Sequence, residues 1–189
     1  ITPLTMLPTI VFPVTINATT QPGFAGTPII ELNGASIGVG GIGFESTSDG
    51  VTIRGFIINR FGKHGISMAG GGLVAGNYIG TNAAGTLAPG NQGNGVNVQS
   101  AATVQIGGDN AADGNVISGN ADNGVRLASC PACSGHVIVG NKIGTNAAGT
   151  AAVPNLINGI SIDLSPNNTI RGNLISGNSS AGVQIQDAG

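Results

Sequence analysis

Residues Gly76-Asn77-Tyr78-Ile79-Gly80-Thr81-Asn82-Ala83-Ala84-Gly85-Thr86 return 64 positions later as Gly140-Asn141-Lys142-Ile143-Gly144-Thr145-Asn146-Ala147-Ala148-Gly149-Thr150, with only the third residue changed. Self-similarity of this kind marks a chain built by stacking one unit. Two shorter phrases agree. Gly114-Asn115-Val116-Ile117-Ser118-Gly119-Asn120 returns as Gly172-Asn173-Leu174-Ile175-Ser176-Gly177-Asn178, and His64-Gly65-Ile66 is echoed by Asn94-Gly95-Val96, Asn123-Gly124-Val125, Asn158-Gly159-Ile160 and Ala181-Gly182-Val183.

Between the anchors the residues alternate. Val96 and Val98 flank Asn97, Ile160 and Ile162 flank Ser161, and Val183 and Ile185 flank Gln184. Period two with β-branched side chains gives a half-buried strand. Gly and Asn punctuate the strands and turn the chain at low steric cost. No apolar stripe with helical period competes. The most compact unit, Asn158 to Ser180, reads as strands Ile160–Asp163, Thr169–Arg171 and Leu174–Ser176. One pass of about 23 residues leaves no room for helices and suits one rung of a solenoid.

The fold class expected is therefore all-β, a right-handed parallel β-helix of roughly six three-strand rungs with loop insertions; handedness follows the crossover rule. At about 4.8 Å per rung the rod is on the order of 30 Å long. Residues 1–189 read as a single domain and a piece of a longer protein, with irregular leading rungs over 1–50 and regular repeats over 51–189. Ladders are expected for Ile66, Val96, Val125, Ile160 and Val183, and for Ile57, Ile79, Ile117, Ile143 and Ile175. Asn77, Asn115, Asn141 and Asn173 should stack at one turn and pass hydrogen bonds between rungs. The insertions are Ala83–Gly93, Ala147–Ile157, Gly107–Asp113 and Ser129–Gly135.

Composition narrows the function. Gly is 34 of 189, but 40% of residues are hydrophobic, so the chain can bury a core rather than stay disordered. Six basic and eight acidic residues give a net charge of −2, and aromatics are 3%. No basic patch or base-stacking platform results, which argues against nucleic-acid binding. No run of 18 apolar residues offers a membrane span.

The phrases Gly76–Thr86, Ile106-Gly107-Gly108, Gly114–Asn120 and Asn123-Gly124-Val125 resemble the right-handed parallel β-helix repeats of large secreted bacterial proteins. The segment Val14–Phe24 through Pro28–Leu32 resembles the lead into such helices. The resemblance covers nearly the whole chain, and it implies a secreted or cell-surface location. The fold hosts lyases, hydrolases, adhesins and spacers, so it leaves activity open.

Polysaccharide enzymes of this fold place carboxylate clusters on one sheet face, often with calcium and a basic residue. The outward positions expected on that face here include Asn97, Gln99, Arg126, Asp163 and Gln184, the candidate ligand-binding set. They supply one carboxylate and one arginine, and Arg126 with Asp163 reads first as a surface ion pair between adjacent rungs. No catalytic residue is assigned. Asp109 and Asp113, with Asn110, form a candidate calcium loop, although the spacing matches no calcium motif and turn-forming Asp accounts for both. No other cofactor is expected. Cys130-Pro131-Ala132-Cys133 has C-x-x-C spacing in a loop; a disulfide in an oxidising compartment is favoured over free thiols, and both over a metal site.

Two functions follow as expectations. The first is a structural or adhesive extracellular module: a spacer, a surface attachment, or a fibre subunit that self-associates through strand edges left open at both ends. The alternative is a β-helix that binds or degrades extracellular polysaccharide.

Overall fold

The structure, a computed structural model, describes residues 1–100, 102–128 and 133–186. The chain coils through six rungs of three short strands. The first rung carries β1 (Thr15–Asn17), β2 (Ile30–Asn33) and β3 (Phe44–Ser46), and the second carries β4 (Val51–Arg54), β5 (Phe56–Asn59) and β6 (Ile66–Met68). The third holds β7 (Gly72–Ala75), β8 (Tyr78–Ile79) and β9 (Val96–Val98), and the fourth β10 (Val104–Gly107), β11 (Val116–Ile117) and β12 (Val125–Leu127). The fifth holds β13 (Val137–Val139), β14 (Lys142–Ile143) and β15 (Ile160–Asp163), and the sixth β16 (Thr169–Arg171), β17 (Leu174–Ile175) and β18 (Val183–Gln186). Every third strand joins the same sheet, giving three six-stranded sheets: β1-β4-β7-β10-β13-β16, β2-β5-β8-β11-β14-β17 and β3-β6-β9-β12-β15-β18. All strand pairs are parallel and in register.

Because inward side chains on stacked strands lie directly above one another, register becomes packing. On the third sheet Ile66, Val96, Val125, Ile160 and Val183 form the expected ladder, and Phe44 begins it. On the second sheet the ladder member is Ile58, not Ile57: Ile58 lies opposite Ile79, which leads on to Ile117, Ile143 and Ile175. Gly55-Phe56-Ile57-Ile58 aligns with Gly76-Asn77-Tyr78-Ile79, so Phe56 takes the asparagine's place and the second isoleucine faces inward. The first sheet adds Ile16, Ile53, Val74, Ile106, Ile138 and Ile170. Apart from Val183, which is exposed on the last rung, these three ladders meet in one continuous core. A fully buried Leu or Ile there is worth about 1.5–3 kcal/mol relative to exposure.

The turns are fastened by asparagine. At the turn between the first and second sheets, Asn77 N and Nδ2 donate to Asn115 Oδ1 at 2.9 and 3.1 Å. Asn115 does the same to Asn141 at 3.0 and 2.8 Å, and Asn141 to Asn173 at 2.9 and 2.9 Å. Two further ladders occupy the turn between the second and third sheets. Asn91, Asn120, Asn155 and Asn178 are joined by Nδ2 to Oδ1 bonds of 2.9 Å that run toward the C-terminal rung. Asn94, Asn123 and Asn158 are joined by bonds of 3.0 Å that run the opposite way. Each amide satisfies backbone groups that a turn would otherwise bury unpaired.

At the N-terminal margin the expectation of open strand edges is corrected for two of the three strands. Ile1 N donates to Glu31 O and Ile1 O accepts from Asn33 N, which occupies the edge of β2. Ile10 bonds Glu45 O and Thr47 N, which occupies the edge of β3. Leu7 and Ile10 pack on the core. An irregular strand-like segment thus supplies partners for β2 and β3 without a capping helix, while the outer edge of β1 has no strand partner among the described residues. At the other margin lie β16, β17 and β18, with no strand beyond them among the described residues.

Candidate functional site

The outward positions of the third sheet form a polar stripe. Register places Glu45, Ser67, Asn97, Arg126, Ser161 and Gln184 in one row, each about 4.8 Å from the next. Four of the five candidate ligand-binding residues therefore share this face: Asn97 and Arg126 in the middle, Asp163 and Gln184 near the C-terminal margin. Gln99, one residue past β9, joins Asn97 and Arg126 in lining a groove of about 310 Å3.

Most of these groups are already engaged. Arg126 Nε bonds Asp163 Oδ2 at 2.9 Å, and Ser161 Oγ donates to Asp163 Oδ1 at 3.0 Å, so both carboxylate oxygens are taken. Gln184 Oε1 accepts from Asn158 Nδ2 at 2.5 Å. Asn97 Oδ1 accepts from Asn94 Nδ2 at 3.4 Å.

The groove also contains Glu45, Lys63 and Asp122, which the sequence reading did not single out, and His64, noted there as the first residue of the His64-Gly65-Ile66 phrase. His64 Nδ1 accepts the Asn94 N–H at 3.0 Å, which leaves its proton on Nε2. Burial, reinforced by Lys63, lowers its pKa to about 4, so near neutrality it is an uncharged donor. Asp122 Oδ1 accepts from Asn123 N and Nδ2 at 2.9 and 2.8 Å, and Glu45 Oε2 accepts from Thr9 Oγ1 at 3.1 Å. Glu45 and Asp122 belong to the first and fourth rungs, on the order of 14 Å apart along the axis at the backbone. The groove gathers hydrogen-bonding groups from several rungs. His64 had a legible signal, because it fills the asparagine position of the Asn-Gly-Val phrase.

The candidate calcium residues Asp109 and Asp113 diverge. Asp113 Oδ1 meets Arg54 Nη2 of β4 at 2.6 Å, and its Oδ2 accepts from Asn110 Nδ2 at 2.9 Å. Asp109 forms a two-point pair with Arg171 of β16, the Oδ2 contact being 2.9 Å. The loop leaves β10 between those strands, so its two carboxylates reach two strands away in opposite directions and clamp the sheet. The Arg171 hydrogen bond holds the Asp109 carboxyl below the usual carboxylate range, and bonds from Asn110 and then Arg54 do so for Asp113. Among the described residues, no three or more His, Cys, Asp or Glu gather as metal ligands would.

Of the candidate disulfide, Cys130 lies outside the described residues. Cys133 is buried, and its thiol is not free. His136, nearby in sequence, is fully buried. Its Nδ1 accepts from Val104 N at 3.2 Å, and burial holds its pKa below the ordinary histidine value.

A chain of short parallel strands coiling through three in-register sheets, with asparagine at its turns, is a β-solenoid. More particularly, it belongs to the right-handed β-helix family: the family model for the right handed beta helix region matches residues 18–189. No curated protein and no solved structure matches it. Among the described residues, no helix is long and apolar enough to cross a membrane.

Proposed function

We propose that the chain is a structural or adhesive extracellular module, a stiff β-helical rod that spaces or attaches other parts of a surface assembly. One observation carries the reading: the stack is locked at its turns by three asparagine ladders. All four arginines are spent on intramolecular ion pairs, so the polar surface is invested in holding rungs together. The edge formed by β16, β17 and β18 is the place where a second rod could add. Head-to-tail fibre growth would require displacing residues 1–13 from the opposite margin. A secreted, oxidising location fits a surface so poor in charge, with a cysteine that is not free.

A second reading rests on the third-sheet groove: Asn97, Gln99, His64 and Arg126 offer converging donors and acceptors suited to a polysaccharide chain. A glycan array separates the two. The structural reading expects no binding that depends on this groove. Binding that disappears in Asn97→Ala and Arg126→Ala would overturn it in favour of polysaccharide recognition.

A further inference from the structure

Four Asn-Gly pairs stand in the chain: Asn33-Gly34, Asn94-Gly95, Asn123-Gly124 and Asn158-Gly159. Glycine leaves its backbone nitrogen unhindered, so such a pair can close on itself. The nitrogen attacks the asparagine amide carbon, and a succinimide ring forms. Rung stacking treats the four pairs differently.

Asn94, Asn123 and Asn158 are buried. Asn94 Oδ1 accepts from Asn123 N, Asn123 Oδ1 from Asn158 N, and Asn158 Oδ1 from Ala181 N. Each side-chain amide is thus engaged by the next rung rather than by its own main chain. The nitrogens of Gly95, Gly124 and Gly159 also donate to carbonyls of the next rung.

Asn33 ends β2 on the first rung. It is half-buried, and its Nδ2 makes no hydrogen bond among the described residues. Its Oδ1 accepts from Ala35 N at 3.0 Å, two residues on. This turn folds the amide carbon back toward the Gly34 nitrogen. The Ala35 N–H is then placed to stabilise the oxyanion that attack creates. Gly34 N donates to Asn59 O at 2.9 Å, but this bond belongs to the outermost rung, where local opening costs least. Asn17 makes the same turn to Thr19 N, yet alanine follows it.

We propose that Asn33 is a site of spontaneous covalent self-modification. The Gly34 nitrogen loses its proton and bonds the Asn33 amide carbon. Nδ2 takes up a proton and leaves as ammonia. Water then opens the ring at either carbonyl, giving aspartate or isoaspartate. Water is consumed and ammonia released, with no oxidation. Either product sets a carboxylate on the face of β2 that carries Glu31. Isoaspartate also adds a carbon to the main chain next to Asn33 N, which holds Ile1 O, so conversion loosens the N-terminal segment. The site does not depend on the function proposed above.

The test is ageing of the full chain at mildly alkaline pH, folded and in urea, followed by peptide mapping for the amide-to-acid mass change and for isoaspartate. In the folded chain Asn33 should convert about tenfold or more faster than Asn94, Asn123, Asn158 or Asn17. In urea the four Asn-Gly pairs should convert alike. Asn33→Gln, which would have to close a larger ring, should stay intact at that position while circular dichroism shows it folded. The residue-33 amide should exchange with solvent faster in converted than in fresh protein. Similar rates for the four pairs in the folded chain, an intact Asn33 once the urea-treated pairs have reacted, or unchanged exchange after conversion would overturn the inference.

Discussion

Replacing Asn141 by alanine should be among the most damaging single changes on this chain, though no aliphatic contact is lost. Its Oδ1 accepts from Asn115 N and Nδ2, while its Nδ2 donates to Ile106 O, Val139 O and Asn173 Oδ1. Alanine removes all five bonds and leaves the buried Asn115 N–H without its acceptor. An orphaned buried donor costs about 1–3 kcal/mol and each lost bond contributes a further fraction, so the loss is about 3–5 kcal/mol. With a urea slope of about 2 kcal/mol/M, that moves the unfolding midpoint down by about 1.5–2.5 M. Asn110→Ala, which removes one exposed side-chain bond to Asp113, should cost no more than about 1 kcal/mol. Urea titration followed by far-UV circular dichroism reads both. An Asn141→Ala midpoint within about 0.3 M of wild type, at unchanged slope, would refute the claim that the ladder holds the turns.

Leu127→Ala empties a fully buried position and should cost about 2–5 kcal/mol; Leu174→Ala, 41% exposed, should cost under about 1 kcal/mol in the same titration. The Asp109 and Asp113 carboxyls are depressed in the folded state, so their stabilisation is present above the ordinary carboxylate range and is lost as pH falls through their folded values. Thermal midpoints should therefore drop below about pH 4, and an Asp109→Asn/Asp113→Asn variant should show a shallower acid slope. His64, held near pKa 4, is neutral when folded but binds a proton below about pH 6.5 when unfolded, so stability declines as pH falls from there toward 4. Its ring proton shift should be flat from pH 8 to 5; a midpoint near 6.5 would contradict the burial argument. Gly107→Ala should be strongly destabilising, because φ is +86° and a Cβ would sit 1.9 Å from Val139 O.

The strands were legible because alternation is local: Ile160–Asp163 and Thr169–Arg171 are the strands observed. The ladder at Asn77 was legible because the same Gly-Asn-x-Ile phrase recurs whole. The ladder of Asn91, Asn120, Asn155 and Asn178 was not, because the insertions after Asn82 and Asn146 separate Asn91 and Asn155 from the phrases that would flag them. Asn94, Asn123 and Asn158 stood in plain view, but as turn formers; only rung stacking reveals that each bonds the next. Ile57 was misplaced because its rung substitutes Phe56 for the asparagine that marks the phrase. The Arg126–Asp163 pair was legible as two outward residues on adjacent rungs. The clamp from Asp113 to Arg54 and from Asp109 to Arg171 was not, since a loop reaching two strands in each direction follows no period. Lys63 and Asp122 escaped notice for a related reason: they lie in turns, where alternation says nothing about facing.

Site-resolved amide hydrogen exchange tests the locked stack most directly. The backbone N–H groups of Asn77, Asn115 and Asn141 donate only to asparagine side chains of the next rung. If the ladders fasten the turns, these three amides exchange as slowly as the strand amides of Ile79, Ile117 and Ile143 beside them. If they exchange at loop rates while those strands stay protected, the turns are loose, the ladders do not hold the rungs, and the stiff-rod account fails.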